Sequence, residues 1–228
     1  MIRVVLLLIL LAAVFIGPQL WVKRVFAQHR ASREDFPGSG SELARHLLDR
    51  FHLEEVQVET TDMGDHYDPI AKIVRLHSEN YYGKSLTAAT IAAHEVGHAL
   101  QDQAAYPPLK ERTRLVHVAQ KAEKIGSFIM LGIPLVAGFT RAPAAGLLVM
   151  VAGIATMGIG TLIHVMTLPV EWDASFRRAL PVLEQGGYLS REDLTGARRI
   201  LKAAALTYVA GSMASLLNLW RWIAMMRR

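Results

Sequence analysis

Between Ala92 and Leu100 the chain reads Ala-Ala-His-Glu-Val-Gly-His-Ala-Leu, and two histidines four residues apart constrain the fold more than any other stretch. On an α-helix, side chains at i and i+4 leave the same face one turn apart, so His94 and His98 converge on one point if this segment is helical. Glu95 then stands beside them. Imidazole nitrogen is a good zinc donor, and a catalytic zinc keeps three protein ligands and one open position for water. Such a metal lowers the pKa of water to about 7, and a neighbouring carboxylate takes the proton, so the spacing points to a metal-dependent hydrolase with Glu95 as its base. The alternative is a surface helix that carries two histidines and an acid. Ile91, Ala92, Ala93, Ala99 and Leu100 argue against it, because an unpaired glutamate on so apolar a helix is costly.

The third protein ligand has to come from elsewhere in the chain, and the best candidate is Glu171 in Leu-Pro-Val-Glu-Trp-Asp-Ala-Ser, residues 168–175. Pro169 can open a helix that presents it. A solvated acid at a helix start is the alternative for Glu171 taken alone. One Zn²⁺ per chain is therefore expected, held by His94, His98 and Glu171.

Composition adds a second expectation. Of the 228 residues 52% are hydrophobic and 20% charged, and the apolar residues gather in runs at 4–21, 127–140, 142–169 and 203–226 rather than recurring periodically. Runs of about that length can span a bilayer core. The expected fold is a mainly α integral membrane protein with about four transmembrane helices and a small α+β zincin-like catalytic domain. The boundaries are an anchor at 1–26, a first catalytic part at 27–125, a membrane hairpin at 126–168, a second catalytic part at 169–202 and a last membrane helix at 203–228. A cleaved signal peptide is the rival for the first run, since Val25-Phe26-Ala27 loosely resembles a cleavage site. Lys23, Arg24, Arg30, Arg33, Arg112, Arg114, Lys121 and Lys124 flank the runs and place both polar parts on the cytoplasmic side. The net charge of +5 thus reads as topology, and no aromatic-basic interleaving of a nucleic-acid module is present. With no cysteine, disulfides and thiolate metal sites are excluded.

Within the polar part, Ser39 or Ser41 can cap a helix through Glu42–Leu48, and Ser85 can cap the histidine helix, which runs to about Gln103 before Tyr106-Pro107-Pro108. Glu55–Glu59 and Lys72–Leu76 alternate as short strands do. The second strand could pair with an extended substrate, or be an ordinary member of a small sheet. Ser190-Arg191-Glu192-Asp193 has the form of a capping box.

Asp65-His66-Tyr67-Asp68-Pro69, the strand Ile73–Leu76, the motif at 92–99 and Leu168–Ser175 together resemble the YugP-type membrane neutral zinc metallopeptidases over nearly the whole chain. More distantly, the order of motif, hairpin and acid-rich helix is similar to that of HtpX-like and CAAX prenyl proteases. Those relatives read Glu-x-Glu-Ala-Asp where this chain has Glu171-Trp172-Asp173-Ala174-Ser175, so the resemblance implies Glu171 as a ligand. Ser175 replaces the closing Asp, and Asp173 is left as the carboxylate that could orient His94 or His98. The resemblance implies a bacterial, multi-pass cell-membrane endopeptidase that cleaves peptides or membrane-associated proteins on the cytoplasmic face.

An oxyanion donor is also required, and His164, Arg178 and Tyr208 are the candidates. His164 lies in an expected span, where a histidine is a functional suspect or a hydrogen-bonded packing residue. Small residues at Ala152, Thr156 and Gly160, and at Ala210, Gly211, Ala214 and Ser215, would let helices approach closely. They motivate the alternative function, a zinc-stabilised membrane scaffold that regulates a partner without turnover.

Overall fold

The computed structural model describes residue 17 and residues 20–122 and 159–226, of which 207 and 214–226 are described by their backbone alone. A central helix organises the rest. It is Leu86–Gln103, designated α3, and of its 18 residues only His94, Asp102 and Gln103 are not buried. Ser85 caps it, its hydroxyl accepting from the Ala88 amide at 3.2 Å, as its β-region backbone and small side chain allow. At the other end Ala105 takes a left-handed φ of 52°, and the Tyr106 amide donates back to the Gln101 carbonyl. That closure reverses the chain into the helical residues 107–122.

Helix α1, Gly40–Arg50, starts in a complete capping box: the Ser39 hydroxyl accepts from the Glu42 amide, and the Glu42 carboxylate accepts from the Ser39 amide. Its apolar face, Ala44, Leu47 and Leu48, is fully buried against the core. Three short strands follow, β1 Gln57–Thr61, β2 His66–Asp68 and β3 Ile73–His77. The sheet order is β1-β3-β2. β1 runs parallel to β3 with Val58 beside Val74, and β2 runs antiparallel with Tyr67 beside Val74. The turn between β2 and β3 is closed by Asp68, whose carboxylate accepts from the Ile70 and Ala71 amides, and by Lys72 at a φ of 57°. Lys72 and Tyr67 both reach Asp102 on α3, which ties the hairpin to the central helix. A helical turn, α2 at Ser78–Tyr81, leads back to α3.

The second half contributes helical residues 159–172, a π-helical segment Asp173–Ala179, helix α4 Leu180–Gln185 and the 36-residue helix α5 Arg191–Met226. α5 buries Ala197, Ile200, Leu201 and Ala203 in the same core as Leu47, Val96 and Leu183. Its start is held by Arg33, which pairs with both Asp35 and Asp193. The Ser190 hydroxyl accepts from the Asp193 amide.

Several expectations are corrected here. Four membrane-spanning helices were read from the apolar runs, yet among the described residues no helix is long and apolar enough to cross a membrane. What is described is an α+β fold with a small three-stranded sheet. The expected spans at 4–21 and 127–158 lie almost wholly outside the described residues. The remainder of the hairpin run, from 159, continues without a break into the segment that carries Glu171. The last run belongs to α5, which carries Glu192, Asp193, Arg198, Arg199 and Lys202 before the run, buries Ala197, Ile200, Leu201 and Ala203 in the core and leaves Leu206, Val209 and Met213 exposed. An apolar stretch that packs against other helices looks the same in sequence as one that faces lipid. Residues 20–28, which include the cleavage-like Val25-Phe26-Ala27, are helical, with Val25 in the core. Pro169 does not open a helix but lies inside one. β3 is the central strand with partners on both sides, so the edge expected to receive a substrate is occupied.

Candidate metal centre

His94 and His98, one turn apart on α3, hold their rings 4.8 Å apart and nearly perpendicular. Glu171 comes from a segment 77 residues beyond His94. Its Oε2 lies 3.2 Å from His94 Nε2 and 3.6 Å from His98 Nε2. Two imidazoles and a carboxylate thus present one ligand atom each within 4.8 Å of one another. Glu171 is 3% exposed and His98 6%. Burial alone raises the Glu171 carboxyl, but the His98 charge and hydrogen bonds from both imidazoles outweigh it and hold the group well below the usual carboxylate range. A buried set of two nitrogen donors and one anionic oxygen suits zinc, for which three protein ligands and an open position are the catalytic pattern.

The outer atoms of each histidine are also engaged. Gln101 accepts a hydrogen bond from His98 Nδ1 at 3.0 Å and donates its amide to the Val170 carbonyl and to Asp173 Oδ2. Because the amide oxygen can only accept, His98 carries a proton on Nδ1, which leaves Nε2, the atom nearer Glu171, as the one that would ligate a metal once it is unprotonated. Ser175 Oγ lies 3.1 Å from His94 Nδ1. The serine that replaces the relatives' closing aspartate therefore touches a histidine directly, whereas Asp173 reaches one only through Gln101. Such outer partners fix ring orientation.

The π-helical turn explains how one segment meets both ends of the motif. In its i to i+5 geometry Asp173 and Arg178 share a face, and Arg178 Nε donates to Asp173 Oδ2 at 2.8 Å. Ser175, four residues beyond Glu171, stays on the side that faces His94.

Gly97 makes the approach possible. A Cβ there would meet the Ala174 carbonyl oxygen at 2.7 Å, a contact between two backbones that no rotamer can relieve. Gly97→Ala is expected to push the π segment away from α3, lowering stability by about 1–3 kcal/mol and weakening zinc affinity, both measurable by thermal unfolding with and without added zinc. An unchanged zinc affinity would show that the two segments are not held at this spacing by Gly97.

Glu95 is 5% exposed. Burial pushes its carboxyl up to about 8, with the His94 and Arg112 charges pulling down and those of Glu171 and Asp65 pushing up. With His94 it lines a cavity of about 250 Å³ whose apolar wall includes Phe26, Ile91 and Ile200 and whose polar groups include Asp65 and Tyr208. Asp65 is fixed by accepting from the His77 amide at 2.7 Å and from Asn80 at 2.8 Å.

The three expected oxyanion donors separate. Tyr208 lines the cavity, and burial followed by the Glu171 and Glu95 charges raises its hydroxyl far above the ordinary tyrosine value. It is therefore a proton-bearing donor. The Arg178 guanidinium is committed elsewhere, to Asp173 and to the Leu100 carbonyl at 2.9 Å. His164 is exposed and stands beside Gly211 of α5, where a Cβ would come within 3.7 Å of its Nδ1. The Gly211 position, read as part of a partner-binding face, is thus used inside the chain. Gln101 and Gly97 have no distinguishing sequence context, and Ser175 stands out only as the residue in place of the closing aspartate. Four-residue spacing from Glu171, and three-residue spacing from His98, were the signals available for Ser175 and Gln101.

Comparison with known proteins agrees with this chemistry. Residues 4–227 match the family described as "Putative neutral zinc metallopeptidase". The chain is 34% identical over 223 residues, 95% of each sequence, to the "Putative membrane protease YugP" of Bacillus subtilis (strain 168). No solved structure matches.

Proposed function

This chain belongs to that family of neutral zinc metallopeptidases, and we propose that it is an endopeptidase whose zinc is held by His94, His98 and Glu171, with Glu95 as general base. The observation that carries the reading is the meeting of Glu171 with both imidazoles from a distant segment, each histidine braced from behind by Gln101 or Ser175. When bound, the ion supplies Lewis acidity and lowers the pKa of water to about 7. Glu95 accepts the proton as a water oxygen bonds to the peptide carbonyl carbon, then returns it to the nitrogen as the C–N bond breaks. Tyr208 donates its hydroxyl hydrogen to the carbonyl oxygen as that atom gains charge. The apolar wall of the cavity keeps other water out.

An extended peptide would use the free main-chain edge of β2 rather than β3, since Asp65, the residue before β2, already lines the cavity. The enzyme works at a membrane surface, on membrane-proximal proteins. The relative's name supports this, and so do the exposed Leu206, Val209 and Met213 of α5, which follow the exposed Arg198, Arg199 and Lys202 on the same helix. An apolar face with a basic border is the pattern of an interfacial helix.

The test is metal removal. The full chain, purified in detergent, is expected to carry one zinc, to cleave an internally quenched casein-derived peptide, to lose that activity on dialysis against phenanthroline and to regain it with zinc. Cleavage that persists in metal-free protein would overturn the proposal.

A further inference from the structure

The cavity beside His94 has two ends of different chemistry. On α3 it is lined by Ile91, His94 and Glu95 and not by His98, so it extends from the reacting groups toward the start of the helix. On α5 it is lined by Ile200, Leu201, Ala204 and Tyr208. Tyr208 follows Ala204 by four residues, as Glu95 follows Ile91, so each helix shows the cavity one apolar and one reactive side chain on the same face. A helical turn rises about 5.4 Å. The apolar end therefore lies within a side chain's length of Glu95 and Tyr208.

Helical residues 20–28 supply a third wall through Val22 and Phe26, again four apart. Their end is tied to the first turn of α3, where the Thr87 hydroxyl donates to the Phe26 carbonyl at 3.1 Å and the Thr87 amide donates to the His29 carbonyl at 3.2 Å. Ile200 and Leu201 belong to the packed core, so the cavity ends there. Its walls are thus preformed, apolar and closed by three helices, the usual make-up of a pocket that selects a ligand by shape. The space is about 250 Å³. An apolar cavity of about 150 Å³ admits a benzene molecule, so a leucine or phenylalanine side chain fits.

Charge narrows the choice further. Asp65, at the polar end, is engaged through both carboxylate oxygens, one accepting from the His77 amide and the other from Asn80. A basic side chain would have to share an acid already in use and leave its stem's charge among apolar walls. An acidic one would meet the carboxyl groups of Asp65 and Glu95.

Resting on the peptidase reading above, we infer that this cavity is the specificity pocket: it takes the apolar side chain, of leucine or phenylalanine size, of a substrate residue flanking the scissile bond, and Ala204 sets how large that side chain can be. Ala204 carries the smallest side chain on the wall. Each carbon added there is taken from the space left for substrate.

The experiment uses the full chain with zinc bound and the quenched casein-derived peptide, whose cleaved bond is first located by mass spectrometry. Peptides with Gly, Ala, Leu, Phe, Asp or Lys on either side of that bond are then compared by kcat/KM. Leu and Phe are expected to exceed Gly at one of the two positions by at least about 10-fold, the lower end of what one methylene is worth in an apolar pocket, with Asp and Lys as poor as Gly. A phosphinic dipeptide bearing an isobutyl group at that position should bind more tightly than its unsubstituted counterpart by a similar factor, measured by calorimetry. Ala204→Phe should keep one zinc per chain while its preference for Leu and Phe over Gly falls by about 10-fold or more. Ala204→Val should reduce the preference for Phe more than that for Leu. A parent that cleaves the Gly and Leu peptides equally, or that prefers Lys, overturns the inference, and so does an Ala204→Phe chain with the parent's preference. The parent series needs no variant, so the inference can fail even where a variant does not fold. A zinc-loaded parent that cleaves no peptide of the series overturns the peptidase reading itself.

Discussion

Glu95→Gln is expected to retain one zinc per chain and the native fold while kcat falls by about 10²–10⁴-fold, the usual contribution of a positioned acid-base group. The amide has nearly the same shape as the carboxyl, so the buried position beside His94 stays filled, but it cannot take up and return a proton. Metal analysis, circular dichroism and single-turnover cleavage separate the two effects. A Gln variant as fast as the parent removes Glu95 from the mechanism. A second readout comes from the metal-free protein, in which burial pushes the Glu95 carboxyl up to about 8. A group raised in the folded state gives stability that is fully present below its ordinary pKa and declines as pH rises through the folded value. Metal-free parent should therefore lose stability between about pH 5 and pH 8 to 9, and Glu95→Gln should lose less over the same range.

Glu171→Ala should remove the anionic ligand and with it most of the zinc affinity. Loss of an outer partner costs metal sites about 10–100-fold, and loss of a direct ligand should exceed the upper end of that range. Two imidazoles on one helical turn remain, enough to bind zinc weakly but too few to hold it with the geometry of a three-ligand site. Competition against a chromophoric chelator gives the affinity directly. If zinc binds Glu171→Ala as tightly as the parent, the ligand set is wrong, whatever happens to activity. The substitution also leaves His94 and His98 without the carboxylate 3.2 and 3.6 Å away, so metal-free Glu171→Ala separates the ion's contribution from that of these contacts.

Much of the site could be read from local chemistry. The i, i+4 histidines, the Ser85 cap and the apolar flanks all act within one helix, and α3 spans Leu86–Gln103 as its flanking signals require. The strands were legible to within a residue or two, with β1 at Gln57–Thr61 rather than 55–59 and β3 at Ile73–His77 rather than 72–76. β2 escaped notice because three residues, His66–Asp68, are too short to show alternation. The membrane-spanning fold was misread for a physical reason: hydropathy records that a segment avoids water and not what it meets instead. In the first turns of α5 the apolar residues Ala197, Ile200, Leu201 and Ala203 meet the protein core.

Tertiary structure assigned the roles that depend on what lies across a gap. Gly97 admits the Ala174 carbonyl, Ser175 braces His94 and Gln101 links His98 to Asp173. The amino-acid order alone determined which side chains could hold zinc and that two of them share a helical face, because those properties follow from side-chain chemistry and a 3.6-residue period. That the expected Glu171 comes within 3.2 and 3.6 Å of the two imidazoles, and that Ser175 steadies His94, was decided only when α3 and the segment around the π turn packed together, because contacts between segments more than seventy residues apart leave no periodic trace in the chain.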